Sequence, residues 1–398
     1  MNQTRRAGAL GDRLTHGLQL PSRVTEPGAS LSGGAAGIAL LHIEAAHQPD
    51  GSDWGPAHRW LTAAVRDGLD IGENACLFYG VPALAYVLHH ADRPGYRPAV
   101  EMARRGLEAV TSNNLTRAWR RIWADERPAA AEFDLIGGLT GLGVLLRRLD
   151  PTHPLLLEVL TYLVGLTQPI DKRAGWWTRP HTHPPSTPQP PGGVSNLGMA
   201  HGITGPLALL ASCARQGITV PGHLEGIQRI CAHLDEWEQP HPAGPWWPET
   251  INQADASLGV PGRARPARPS WCYGTPGIAR AQQLAGIVLN DPDRQAKAEA
   301  ALLGCLDDPE QMIRVVDRSL CHGTAGLYLT ARAIAADALG PADIPLDRLA
   351  GLLLDQAPAA GEPPGYLVGT AGYALAVHRL ASHDAVSATN WEDCLLLT

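Results

Sequence analysis

The sequence predicts an all-α chain arranged as a double-layered ring of outer and inner helices, on three observations. A G-x-x-G motif, or a near copy of it, occurs seven times along the 398 residues. Each copy opens a run that is apolar nearly all round, as a buried helix is. The segments between copies are amphipathic with charged faces, and no convincing set of alternating strands appears.

The copies can be taken in order. Gly34-Ala35-Ala36-Gly37 leads into Ile38 to Ala46, and Gly80-Val81-Pro82-Ala83 into Leu84 to Ala91, with alanine in place of the second glycine. Gly138-Leu139-Thr140-Gly141, Gly202-Ile203-Thr204-Gly205 and Gly274-Thr275-Pro276-Gly277 follow. Gly323-Thr324-Ala325-Gly326 and Gly369-Thr370-Ala371-Gly372 complete the set. Successive first glycines lie 46 to 72 residues apart, room for two helices and their loops. Glycine lets backbones approach closely, and Pro or Thr between the glycines suits a helix's first turn. Outer helices are expected at Trp60 to Leu69, Val100 to Ala109, Pro154 to Leu166, Leu224 to Leu234 and Ala296 to Leu306. Such pairs stack either as an open solenoid or as a closed ring. Inner helices this apolar favour closure, because an open array would wet one face.

Residues 1–30 form a polar N-terminal extension without the apolar core of a signal peptide, and residues 31–398 form the ring. Long loops are expected at about 111–131, 177–193 and 240–270. The first carries Arg117, Trp119, Arg120 and Trp123, best read as a solvated helix with buried tryptophans. The second is rich in proline and holds His181 and His183, which read as solvated. The third precedes Trp271 and rims whatever site lies there. A net charge of −7 without a basic run argues against nucleic acid, and no stretch is apolar for long enough to span a membrane. Seven scattered cysteines in a chain without an export signal point to reduced thiols and metal ligation in the cytoplasm.

The chemistry gathers in two motifs, Trp271-Cys272-Tyr273-Gly274 and Leu320-Cys321-His322-Gly323. Cys272 and Cys321 both lie two places before a first glycine, and His201 and His322 both lie one place before. Asp134 lies four before Gly138. In a closed ring such shared offsets converge on one end. Two thiolates and one imidazole are three of the four ligands of an open catalytic zinc site. Outside this pattern the two cysteines would read as small buried residues, Asp134 as a helix N-cap, and His201 as a core histidine. Cys76, Cys213, Cys231, Cys305 and Cys394 fit no ligand spacing.

Over roughly Leu31 to Leu380 these motifs resemble the LanC family, the stand-alone lanthionine cyclases of class I lanthipeptide biosynthesis. The Trp-Cys-Tyr-Gly and Cys-His-Gly motifs are similar to the family's zinc-site motifs. Asn196-Leu197-Gly198-Met199-Ala200-His201-Gly202 is similar to its active-site histidine motif. Asp134 and Arg268 stand where the family has an active-site aspartate and arginine. The resemblance implies an α/α toroid of seven outer and seven inner helices, with Zn²⁺ held by Cys272, Cys321 and His322. It also implies that a cysteine of a dehydrated precursor peptide adds to dehydroalanine or dehydrobutyrine, giving lanthionine or methyllanthionine rings. His201 is then the candidate acid for the enolate, Asp134 its orienting partner, and Arg268 a stabiliser of developing charge. The implied partners are the precursor peptide, a LanB-type dehydratase and an exporter, with membrane association only through such a complex. The alternative is a LanC-like zinc protein that binds glutathione or a peptide without cyclising it.

Overall fold

The computed structural model describes residues 3–19, 24, 26–48, 53–179, 192–340, 343–382 and 389–398. In chain order its helices are α1 (Gln3–Gly17), α2 (Ala35–His47), α3 (Gly55–Val65), α4 (Val81–Ala91), α5 (Arg97–Trp123) and α6 (Ala130–Phe133). Then come α7 (Leu139–Leu149), α8 (Pro154–Leu166), α9 (Thr204–Arg215), α10 (His223–Glu236), α11 (Gln253–Leu258) and α12 (Thr275–Leu289). The last are α13 (Pro292–Asp307), α14 (Pro309–Met312), α15 (Thr324–Ala336), α16 (Leu346–Asp355) and α17 (Thr370–Ala381). Two three-residue strands, β1 (Val194–Asn196) and β2 (Thr250–Asn252), pair antiparallel with Ser195 opposite Ile251. No described helix is long and apolar enough to cross a membrane.

The chain divides into two compact units. One comprises Met1–Val110, Val315–Arg332 and Pro345–Leu397. The other comprises Thr111–Arg314, Ala333–Ile344 and Thr398. In the first, α2 packs on α3, α4 and α17, and α1 docks along α17 and α16. In the second, α9 packs on α7, α10 and α12, while α8 backs α7 and α13 backs α12.

The helices that follow the glycine motifs are the buried ones, as their composition requires. α4 is buried from Val81 to Ala91 except at His89, and α12 from Thr275 to Gly286. Each fully buried Leu or Ile of these helices contributes roughly 1.5–3 kcal/mol relative to exposure. Burial also reaches polar residues. Arg280 in α12 is 2% exposed, and its guanidinium donates to Asp337 at 2.8 Å and to Gln283 at 2.6 Å, so the charge is not left unpaired.

The motif itself is a tight turn. Ser270 O accepts the N–H groups of both Gly274 and Gly277, at 3.2 and 3.4 Å, and Ser319 O accepts those of Gly323 and Gly326, both at 3.1 Å. The second glycine sits against the carbonyl six residues earlier. A Cβ on Gly37, Gly205, Gly277, Gly326 or Gly372 would collide with the oxygen of Leu31, Met199, Trp271, Leu320 or Tyr366 respectively. The second repeat escapes this because its turn differs: Gly80 has φ +77°, whereas Gly34, Gly138, Gly274 and Gly369 are extended. That left-handed turn explains why Ala83 is tolerated there.

Three sequence expectations need correction. The 111–131 loop is helix as far as Trp123, because the charged, glycine-free stretch simply continues α5, and α6 follows within it. Its tryptophans are not both buried: Trp119 is half-buried edge-on to Tyr162, but Trp123 is 80% exposed. The 240–270 segment is not all loop either, since it contains β2 and α11, where Asn252 and Asp255 form a reciprocal capping box. In the 177–193 segment, His181 and His183 lie outside the described residues.

Candidate metal centre and active site

Cys272 is held by the turn of the fifth motif. Ser270 Oγ accepts the backbone N–H of Tyr273 at 3.3 Å and the Cys272 thiol at 3.6 Å, and Cys272 is 6% exposed. Cys321 and His322, both half-exposed, occupy the sixth motif. There Cys321 N–H donates to Leu367 O at 2.9 Å, and Ser319 Oγ accepts His322 N–H at 3.2 Å. Asp317 closes this turn: its Oδ1 accepts Ser319 N–H at 2.9 Å and its Oδ2 lies 3.2 Å from His322 Nε2. Burial alone would raise the Asp317 carboxyl, but hydrogen bonds from His322 and Ser319 hold it well below the usual carboxylate range.

One ligand atom from each of Cys272, Cys321 and His322 lies within 4.8 Å of the others, a grouping with no counterpart elsewhere among the described residues. Neighbouring ligand atoms of a tetrahedral zinc site lie about 3.5–4 Å apart, so this donor set fits zinc after a small contraction. Two soft thiolates with one imidazole suit zinc far better than calcium or magnesium, which take oxygen ligands.

Asp134 and His201 form a second centre. Asp134, 2% exposed, follows α6, and its Oδ1 accepts Gly137 N–H at 2.6 Å. It does not cap α7, whose N-cap is Gly138 without a side-chain bond. The other oxygen, Oδ2, accepts from His201 Nδ1 at 2.7 Å, which fixes the imidazole with Nε2 unclaimed by that bond. Burial pulls the His201 pKa down, but the hydrogen bond and charge of Asp134, with the charge of Cys272, outweigh it and raise the value above the ordinary 6.5. The His201 ring lies 6.1 Å from that of Tyr273, the neighbour of Cys272 in sequence. Burial keeps the Tyr273 phenol protonated, its pKa raised despite the hydrogen bond from Asn196. Arg268 is half-buried in the stretch leading to Cys272, its carbonyl 2.5 Å from where a Cβ on Gly274 would stand.

The model of the lanthionine synthetase C-like proteins matches residues 26–396. The chain belongs to that family. Nisin biosynthesis protein NisC of Lactococcus lactis subsp. lactis is 24% identical over 201 residues, 49% of this chain and 47% of that protein. The match thus spans about half the length of that curated relative. The solved structure of nisin cyclase matches with a TM-score of 0.77 at 19% identity, covering 99% of this chain and 97% of that one. The likeness shows the fold, an α/α toroid, as the seven motifs led one to expect.

Sequence reasoning missed several residues of this lanthionine synthetase C-like chain. Ser30, Ser270 and Ser319 stand four places before first glycines and give their hydroxyls to the backbone N–H one place before it, as the Asp134 carboxylate does. The pattern S/D-x-x-x-G-x-x-G was available as a signal. Asp317 and Asn196 also went unnoticed. Each sits two residues before a backbone N–H that its side chain accepts, the signature of an Asx turn.

Proposed function

We propose that this protein is a zinc-dependent lanthipeptide cyclase. The observation that carries the proposal is the grouping of Cys272, Cys321 and His322 in a lanthionine synthetase C-like chain, with the Asp134–His201 pair beside the turn that bears Cys272. Bound there, zinc would favour the thiolate of a substrate cysteine and hold it in the fourth ligand position. Cys272, Cys321 and His322 would hold the metal and leave a fourth position for the substrate sulfur. The substrate sulfur forms a bond to the β-carbon of a dehydroalanine or dehydrobutyrine in the same peptide, and the π electrons move into an enolate. His201, kept protonated by Asp134, gives its Nε2 proton to the α-carbon. Arg268 steadies the enolate oxygen as charge develops. The thiol proton leaves to solvent and in balance replaces the one that His201 gave up.

Since such a chain cyclises but does not dehydrate, a separate dehydratase of the LanB type acts first, and an exporter follows. Seven cysteines, none of them in a disulfide, fit a reducing cytoplasm.

The test uses a dehydrated precursor peptide with the wild-type protein and follows loss of alkylatable thiol by mass spectrometry. Ring closure is an isomerisation, so peptide mass stays constant while alkylation falls. A chelator should abolish the loss and zinc restore it. Thiol that persists through every such incubation, together with tight binding of glutathione, would replace this reading with the binding-protein alternative.

A further inference from the structure

Asp317 touches His322 yet is not one of the three residues whose ligand atoms group together. Its role is therefore to be sought in what it does to the imidazole.

The aspartate is anchored on both sides. Its Oδ1 accepts Ser319 N–H at 2.9 Å, and its carbonyl accepts Thr324 N–H at 3.0 Å, at the start of α15. Only 20% of its side chain is exposed. Oδ2 meets His322 Nε2 at 3.2 Å, and the backbone N–H of His322 is tied to Ser319 Oγ. A neutral imidazole carries its proton on one nitrogen and a lone pair on the other. A carboxylate accepts hydrogen bonds and cannot donate one, so it selects the tautomer with the proton on the nitrogen it faces. Asp134 divides its oxygens in the same way, one to backbone and one to imidazole, but it takes Nδ1 of His201. The two aspartates thus take opposite nitrogens: Nδ1 of His201 and Nε2 of His322.

We infer that Asp317 is a positioning residue for the metal centre: it holds the His322 proton on Nε2 and presents Nδ1 as the ligand atom. The inference rests on the proposed zinc reading of Cys272, Cys321 and His322. Outer partners of this kind orient the ring and make it a better donor, and their loss typically weakens metal binding about 10–100-fold.

Asp317→Asn tests this directly. The amide oxygen can still accept Ser319 N–H, but the amide NH₂ then faces His322 and favours the opposite tautomer. Zinc affinity, measured by competition with a chromophoric chelator, should fall about 10–100-fold, while the melting temperature of the metal-free protein stays near wild type. Wild-type affinity in Asp317→Asn would overturn the inference, as would a weakening matched by an equal loss of metal-free stability. In parallel, long-range ¹H–¹⁵N spectra of the metal-free protein, assigned with His322→Gln, should show His322 protonated at Nε2. Protonation at Nδ1 would overturn it. Should the wild type take up no zinc at all, the metal reading falls separately, and the tautomer still decides whether Asp317 sets the ring.

Discussion

Asp134 gives one carboxylate oxygen to the backbone N–H of Gly137 and the other to Nδ1 of His201, at 2.6 and 2.7 Å. One side chain therefore holds the turn before α7 and orients the candidate acid. The two tasks can be separated. Asp134→Asn can still accept from Gly137, but an amide N–H that faces Nδ1 favours the neutral ring with its proton on Nε2 and withdraws the charge and hydrogen bond that favour the doubly protonated acid. Cyclisation should slow by about 10²-fold or more with zinc content unchanged. In the wild type the rate should fall as pH rises through a His201 pKa above 6.5, and in the variant that limb should move to lower pH. A wild-type rate and pH profile in Asp134→Asn would remove Asp134 and His201 from the chemistry.

The glycine turns set the backbone that carries Cys272. Gly277→Ala places a methyl against the Trp271 carbonyl, so the turn must open. A loss of about 1–3 kcal/mol in unfolding free energy is expected, together with weaker metal binding. Ala83→Gly, at the equivalent position of the second repeat, should cost no more than about 1 kcal/mol, the ordinary helix penalty of glycine. Equal effects of the two substitutions in urea titrations would contradict the different turn geometries at Gly80 and Gly274.

Most of this architecture was legible because glycine spacing and apolar runs are local signals. Pro154 to Leu166 is read from the sequence as an outer helix, and α8 has those bounds. The sequence did not disclose α1, whose polar, glycine-containing stretch becomes a helix by docking on α17. Arg117 to Trp123 reads as a solvated helix, but not as the unbroken continuation of α5 that it is, since nothing at Thr111 either stops or demands a helix. The candidate ligands Cys272 and Cys321 were visible through their shared offset. Asp317 was not, because its meaning lies in a contact with His322 five residues on, and a lone aspartate before a serine looks like any turn.

Acid should destabilise the fold before carboxylates titrate. Burial depresses the pKa of His42, His223 and His378, and that of His233 to about 4. Ser195 Oγ lies within hydrogen-bond distance of His233 Nε2, at 3.0 Å. A depressed folded pKa leaves stability complete above the unfolded value near 6.5, and it is lost as pH falls from there toward about 4, where the unfolded chain binds the proton first. For His233 alone this amounts to about 3 kcal/mol. Chemical denaturation at pH 7.5 and 4.5 should show the drop, and His233→Gln should lessen it; a flat profile over this range would contradict the buried neutral histidines.

Thiol reactivity should separate the cysteines. Burial pushes Cys213 up to about 11 and Cys231 and Cys394 to about 12, and raises Cys305 further. These thiols should resist iodoacetamide at pH 8 in the folded protein. Cys321, half-exposed, should react first in metal-free protein and become protected by zinc. Peptide mapping that finds Cys305 or Cys394 labelled as fast as Cys321 would contradict the packing described.

The most direct measurement is zinc stoichiometry by elemental mass spectrometry on three purified proteins. The wild type and His201→Ala should each carry one zinc per chain, because the metal is held by Cys272, Cys321 and His322 and leaves His201 free for the peptide. Cys272→Ala with Cys321→Ala should carry none. Full zinc in that double variant, or its loss in His201→Ala, would contradict the assignment of the site.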